Sequence, residues 1–194
     1  MGTPFAAVYN RFLGKITDDM YLELTPEDTM KDLRNLLIDA IPGFEFPRKN
    51  LFDYELKVEV KPEADLDPDD FLIGVIWGDL EHQEDVNPDV LVVERSSFNM
   101  DLTSEEINIL AILMMCAWVQ RQVTSIENTR MKYSGSDFKM TSQANHLAKL
   151  LSLLKETQRQ SHHMQRLYKR RKLDDTGTYA SNWSVLRSSS ALDD

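Results

Sequence analysis

Hydrophobic positions follow different rhythms along this chain, and the changes of rhythm divide it into segments. From Pro4 to Ile16, the residues Phe5, Val8, Tyr9, Phe12, Leu13 and Ile16 recur at steps of three and four. That spacing puts them on one face of a short amphipathic helix. Thr17-Asp18-Asp19 interrupts the pattern, and Met20 to Leu24 is expected to form a short extended piece. Thr25-Pro26-Glu27-Asp28 then reads as a helix start. Thr25 can accept a hydrogen bond from a free amide, Pro26 suits the first helical position, and the acids sit at the positive end of the dipole. Leu33, Leu36, Leu37, Ala40 and Ile41 supply a buried stripe, and Pro42-Gly43 ends it. Phe44-Glu45-Phe46-Pro47 alternates and then breaks.

Between Leu51 and Val93 the period shortens. Leu56-Lys57-Val58-Glu59-Val60 alternates as a half-buried strand does. Phe71–Trp77 and Val90–Val93 are short, rich in β-branched residues and flanked by Asp, Pro or Gly. Residues 51–99 are therefore expected to form a small antiparallel sheet with acidic loops, with Gly78–Asp89 at an exposed edge or tip.

The longest helices are predicted in the second half. Thr103-Ser104-Glu105-Glu106 has the form of a capping box, in which Thr103 and Glu106 each satisfy the other's backbone amide. Leu102 and Ile107 occupy the accompanying hydrophobic-staple positions. The helix is expected to reach about Met131, and its first half, INILAILMMCAWV, is apolar on nearly every side. A helix with no wet face must be enclosed, either by its own domain or by neighbouring subunits. Tyr133–Asp137 is a polar connection containing Gly135, and a last helix starts between Asp137 and Ser142 and runs to about Lys172. Leu147, Leu150, Leu151 and Leu154 give it a narrow stripe. Beyond Lys155 it turns polar, so that half is expected to be solvated or pressed against a partner. Leu173–Asp194 is polar, with isolated Tyr179, Trp183, Val185 and Leu186, and does not pack by itself. Aromatic side chains in such a tail point to docking on a partner.

The resulting class is α+β, mainly α: a helical bundle with two long C-terminal helices, a small antiparallel β insertion and an extended C-terminal arm. The expected divisions are an N-terminal helical part (1–50), an acidic β-rich insertion (51–99), a long helical hairpin (100–172) and the arm (173–194). Charge sharpens this division. Residues 1–101 hold 9 Lys/Arg against 23 Asp/Glu, a net of −14, and residues 102–194 hold 13 against 9, a net of +4. Oppositely charged halves suit contact between copies, or one face toward nucleic acid and another away from it.

Composition narrows the function classes. Hydrophobic residues are 42% of the 194-residue chain, enough to bury a core. A single cysteine, Cys116, makes no internal disulfide. The opening residues lack a signal-peptide pattern. The longest nearly unbroken apolar stretch, Ile107–Val119, has 13 residues, against about 20 needed to span a bilayer. These features lead to the expectation of a soluble intracellular protein with no membrane association.

Signatures of catalysis and cofactor binding are sparse. Neither GxGxxG nor GxxxxGK[ST] occurs, and there is no HExxH. His162 and His163 are adjacent, and so diverge by about 100° on a helix, a poor chelate. Cys116, in an apolar helix, is expected to be a buried inert thiol. The run Asp65-Leu66-Asp67-Pro68-Asp69-Asp70 fails as a calcium loop, with Asp70 where Gly and Ile76 where a bidentate Glu are needed. No catalytic, cofactor or metal-binding residue is assigned, and the expectation is of a non-enzyme without cofactors. Arg166, Lys169, Arg170, Arg171 and Lys172 form a basic cluster suited to phosphates or to an acidic protein patch. Aromatic interleaving there is limited to Tyr168, and no nucleic-acid fold signature accompanies it.

Three stretches carry a resemblance. YNRFLGKITDDMYLELTPEDT with its following helix and IPGFEFPR end, LTSEEINILAILMMCAWVQRQ, and TRMKYSGSDFKMTSQANHLAKLL leading to QRLYKRRK cover about half the chain. Together they resemble the small neck proteins of tailed bacteriophages, the head-to-tail connectors or adaptors that assemble on the portal. The resemblance implies a virion protein, present in the host cytoplasm during assembly. It would form a ring, commonly dodecameric, between the portal and downstream tail or neck proteins, close to the double-stranded DNA in the channel. It further implies that Leu173–Asp194 is an arm anchored by Tyr179, Trp183 and Leu186. The acidic insertion departs from the family, whose adaptors are smaller and more purely helical. The alternative is a nucleic-acid-associated regulator using the basic end of the last helix.

Overall fold

The computed structural model describes residues 2–16, 24, 26–62, 71–72, 90–132, 141–173 and 179–180. Four helices dominate them: α1 (Phe5–Leu13), α2 (Pro26–Ala40), α3 (Ser104–Lys132) and α4 (Thr141–Arg170). A 3₁₀ turn over Ile41–Gly43 closes α2 at the expected Pro-Gly stop. The strands are β1 (Tyr54–Glu55), β2 (Val58–Pro62), β3 (Phe71–Leu72), β4 (Val90–Glu94), β5 (Ser97–Phe98), β6 (Lys172–Leu173) and β7 (Tyr179–Ala180). All pairings are antiparallel: β1 with β5, β6 with β7, and a three-stranded sheet in the order β2-β4-β3. The mainly helical class with small antiparallel sheets is thus the one the hydrophobic rhythms predicted. The extended reading of residues 20–23, the Thr25 cap, the 78–89 loop and the 133–137 connection lie outside the described residues.

Helix α3 begins as its sequence dictates. The Thr103 amide donates to Glu106 Oε2 at 2.7 Å, and the Glu106 amide donates back to Thr103 Oγ1 at 3.3 Å. Leu102 and Ile107, the staple residues, are half-buried against the core. The helix then packs against α1, α2 and α4. Ile109, Leu110, Ala111, Ile112, Met114, Trp118 and Val119 are buried, and the remaining residues of Ile107–Val119 are half-buried. Enclosure of the apolar helix therefore comes from its own chain. The stripes of three other helices converge on different sides of one rod and bury seven of these thirteen residues. From Ser104 to Asn128 this helix is long and apolar enough to cross a membrane by length and composition. The apolar run had counted only 13 residues, whereas the helix continues through scattered polar positions.

The ends of the β region are sewn into the helical core. The Phe98 amide donates to Thr3 O at 2.9 Å, the Thr3 amide donates to Met100 O at 3.0 Å, and the Phe5 amide donates to Ser96 O at 2.9 Å. Thr3 Oγ1 also accepts from the Leu102 amide at 2.6 Å, just before the α3 cap. Phe5, Tyr54 and Phe98 stack at tilted and edge-on angles, with centroids 4.7–6.4 Å apart. One hydrophobic cluster consequently includes Phe5 and Leu36 from 1–50, Leu51 and Phe98 from 51–99, and Leu110 and Leu154 from 100–172.

One expectation fails in the sheet. Leu56 and Val58 are 53% and 43% exposed, so the alternation around them does not mark a buried face. Burial follows position across the sheet instead. Val93 and Glu94 lie on the central strand and are covered, whereas β2 is an outer strand. Glu94 is held by Arg34 at 2.7 Å and accepts from the Ser96 amide at 3.0 Å, which satisfies a buried carboxylate.

Truncating the centre of α3 tests this packing. Leu110→Ala is expected to lower unfolding free energy by about 2–5 kcal/mol, the range for deleting a fully buried leucine. Urea titration followed by far-UV circular dichroism measures it.

Candidate functional site where the two long helices meet

Helix α4 returns antiparallel along α3, bringing Met164 beside Asn108 (Sδ to Nδ2, 3.7 Å) and Arg171 beside Glu105. Its leucine stripe is buried at Leu147, Leu150 and Leu154. Past Lys155 the burial does not stop. Thr157, Ser161, Gln165 and Tyr168 continue it at 2%, 4%, 1% and 2% exposure. This corrects the expectation that the polar half is solvated or needs a partner. Spacings of four, four and three keep the four residues on the leucine face. Their polarity is matched within the chain rather than left to water. Thr157 Oγ1 donates to Leu153 O at 2.8 Å, and Gln165 Nε2 donates to Ser161 Oγ and Gly43 O, both at 3.2 Å. Gln165 Oε1 accepts from the Glu45 amide at 2.7 Å. A single amide side chain thus holds the turn after α2 against α4.

Glu106 lies at the centre of the junction. Its carboxylate accepts the Thr103 amide at 2.7 Å, the Thr103 hydroxyl at 3.0 Å and the Tyr168 hydroxyl at 2.5 Å. Lys49 Nζ stands 3.4 Å away and also donates to Asp101 O. Burial by itself raises the pKa of Glu106, but the bonds from Thr103 and Tyr168, with the Lys49 charge, outweigh burial and set it below the ordinary glutamate value. Burial likewise raises the Tyr168 pKa, and the adjacent Glu106 raises it further, so the hydroxyl stays a donor. Tyr168 is gripped from its other side. Arg48 lies over its ring at 4.4 Å, donates to Tyr168 O at 2.9 Å and reaches Arg171 O, while Phe44 packs at 5.4 Å. With its acceptor sites occupied, Glu106 is a weak base and a strong structural tie.

The basic cluster is divided by these contacts. Arg171 pairs with Glu105 at 2.9 Å, and the Lys169 ammonium sits 3.9 Å over the Phe46 ring. Arg166 and Arg170 are exposed and form no ion pair among the described residues. Lys172 contributes its backbone to β6, where it pairs with Ala180, and Tyr179 pairs through β7 with Leu173. Trp183 and Leu186 lie outside the described residues, as does Asp65–Asp70. His162 Nδ1 is 3.3 Å from Glu45 Oε1, away from any metal-like grouping. No cluster of three or more His, Cys, Asp or Glu suited to a metal occurs among the described residues. Cys116 is half-buried, and burial pushes its thiol up to about 11.

No family model, curated protein or solved structure matches the chain.

The residues that the sequence reading missed are Glu106 and Gln165. Glu106 was legible as a cap but not as the tie between two helices. Gln165 carried a signal only through its four-residue step from Ser161, on the face begun by Leu154.

Two measurements test this site. Removing the hydroxyl with Tyr168→Phe strips a donor from a buried carboxylate, at an expected cost of about 1.5–3 kcal/mol at neutral pH. A folded-state pKa held below the unfolded value stabilises above the unfolded pKa, and that stability is lost as pH falls through the folded pKa. Tyr168→Phe raises the folded pKa of Glu106, so its acid-unfolding midpoint should move to higher pH than wild type. For Cys116, a thiol at about 11 leaves only about one molecule in a thousand as thiolate at pH 8. Native protein should react slowly with a thiol reagent, and urea should restore ordinary rates.

Proposed function

We propose that the chain is a structural protein of the tailed-phage neck, in which four helices form a bundle subunit and Leu173–Asp194 serves as an arm. Copies would form a ring that joins the portal to the tail and encloses the DNA channel. The observation that carries this reading is the anchoring of the arm's origin. Tyr168 is tied to Glu106, Arg171 to Glu105, and the last carbonyls of α4 to Arg48. A segment bearing Tyr179, Trp183 and Leu186 therefore leaves from a fixed point, which lets anchor residues reach a neighbour without first ordering their base. The resemblance supplies the identity of that neighbour, the portal and the proteins below it. This reading places function in interaction, and the buried titratable groups at the junction, occupied as structural ties, support it.

A second reading, a nucleic-acid-associated regulator, draws on Arg166 and Arg170, which are outward and unpaired among the described residues. It requires duplex binding with a steep salt dependence.

Deleting Leu173–Asp194 separates the arm from the body. Co-sedimentation with purified portal rings should be lost, while the helical signal and unfolding midpoint stay near those of the full chain. Unchanged attachment removes the arm from the mechanism, and a full-length chain that joins no portal ring removes the neck reading itself.

A further inference from the structure

The segment between the end of α2 and β1 crosses the junction as a strap. Residues 44–50 form neither helix nor strand, and buried side chains seat the strap at both ends, Phe44 at 4% and Leu51 at 2% exposure. Between these anchors Glu45, Phe46, Pro47 and Arg48 are exposed. The strap nonetheless grips α4 along its length. The Glu45 amide donates to Gln165 Oε1 at 2.7 Å, and the Glu45 carboxylate stands 3.3 Å from His162 Nδ1. The Lys169 ammonium lies 3.9 Å over the Phe46 ring. Arg48 covers the Tyr168 ring at 4.4 Å and donates to the carbonyls of Tyr168 and Arg171. From His162 to Arg171 these contacts follow about 14 Å of helix.

Two properties set this strap apart from the core beneath it. Its grip is made by exposed side chains and the Glu45 amide, and Pro47 has no amide to contribute. Exposed contacts of this kind open well below the global unfolding free energy, whereas Glu106 and Tyr168 underneath are buried. The strap also completes α4 from outside. The last carbonyls of a helix lack partners within it, and the Arg48 guanidinium gives two of them a donor and a positive charge at the negative end of the dipole. Lys172 follows Arg171 directly as the start of β6. The carbonyls that Arg48 holds therefore lie where the chain leaves α4.

We propose that Glu45–Arg48 is a latch that opens as one unit with the end of α4 beyond Tyr168, while the helical core stays folded. Closed, it fixes the direction in which the C-terminal segment departs. Open, it uncaps Tyr168 O and Arg171 O and releases Lys169, so the helix end frays and that direction is lost. The anchors Phe44 and Leu51 bound the movement, and the tie between Glu106 and Tyr168 keeps the rest of α4 in register. The latch thereby decides whether a partner meets the C-terminal segment from an ordered or a free origin, a difference in the ordering cost of binding. This goes beyond the neck reading and holds whatever that segment meets.

Amide hydrogen exchange followed by NMR on the full chain tests the latch. The reporters are the Glu45 amide, bonded to Gln165, and the Arg171 amide, bonded to Leu167 O at 3.1 Å. An arginine side chain has no acceptor, so Arg48 bonds neither amide directly. In wild type both reporters should exchange through one opening, less protected and less sensitive to added urea than the amides of Leu110–Met114. Arg48→Ala should speed both by a matching factor of about tenfold or more, through the lost charged donor. Phe46→Ala should also speed both in step; circular dichroism confirms that each variant is folded, and either one suffices. A Glu45 amide unmoved by Arg48→Ala while Arg171 accelerates overturns the proposal, because the contacts then let go one at a time. Wild-type reporters that share the protection and urea dependence of Leu110–Met114 overturn it too, because the strap is then part of the global unit. Portal rings play no part in this readout, so failure of the latch and failure of the neck reading are separate results.

Discussion

An ionised carboxylate buried where two long helices meet sets the arrangement of this protein. Glu106 completes the start of α3 through Thr103 and the end of α4 through Tyr168. A buried charge without partners is costly, so each donor is required for the others to be stable. The tie draws the C-terminal turn of α4 onto the N-terminal turn of α3, and the rest of α4 follows in register. Once α4 is in register, Gln165 reaches the turn after α2, and Arg48 closes over Tyr168. A local capping motif is thereby made part of a long-range contact.

The same tie links packing to surface chemistry. Residues two apart on a helix point about 200° apart, so the inward-facing polar row leaves a basic row on the far side. Arg166 and Arg170 face out as a consequence of Gln165 and Tyr168 facing in. Arg166 and Arg170 thus lie on the side of α4 turned away from the core. Lys169 and Arg171 do not join that face, because Phe46 and Glu105 occupy them. The cluster that seemed continuous in sequence is split by the helix into cations that hold the fold and cations that face solvent.

The apolar centre of α3 makes a related point. Its sequence demands enclosure without naming what encloses it, and both an own-chain core and a subunit interface satisfy that demand. The stripes of α1, α2 and α4 meet the need within one chain. The proposed assembly role therefore draws its support from the fixed origin of the C-terminal segment, not from an uncovered core helix.

Much of the fold was legible from short-range pattern. Steps of three and four located the faces of α1 and α2, the Pro42-Gly43 pair placed the end of α2, and the Thr103–Glu106 box placed the start of α3, because each depends on neighbours within a turn. The antiparallel strands were legible as elements, but the exposure of Leu56 and Val58 was not, since burial depends on which strand occupies the centre of the sheet. Thr157, Ser161, Gln165 and Tyr168 were likewise beyond reach. Gln165 and Tyr168 are buried where distant groups satisfy them, and those groups, Gly43, Glu45, Arg48 and Glu106, lie 62 or more residues away in sequence, whereas Thr157 and Ser161 find Leu153 and Gln165 within one helical turn. Sequence alone determined the elements and their apolar faces, through local periodicity and capping; tertiary structure decided which polar residues are interior, because that depends on hydrogen-bond partners the chain brings together only when folded.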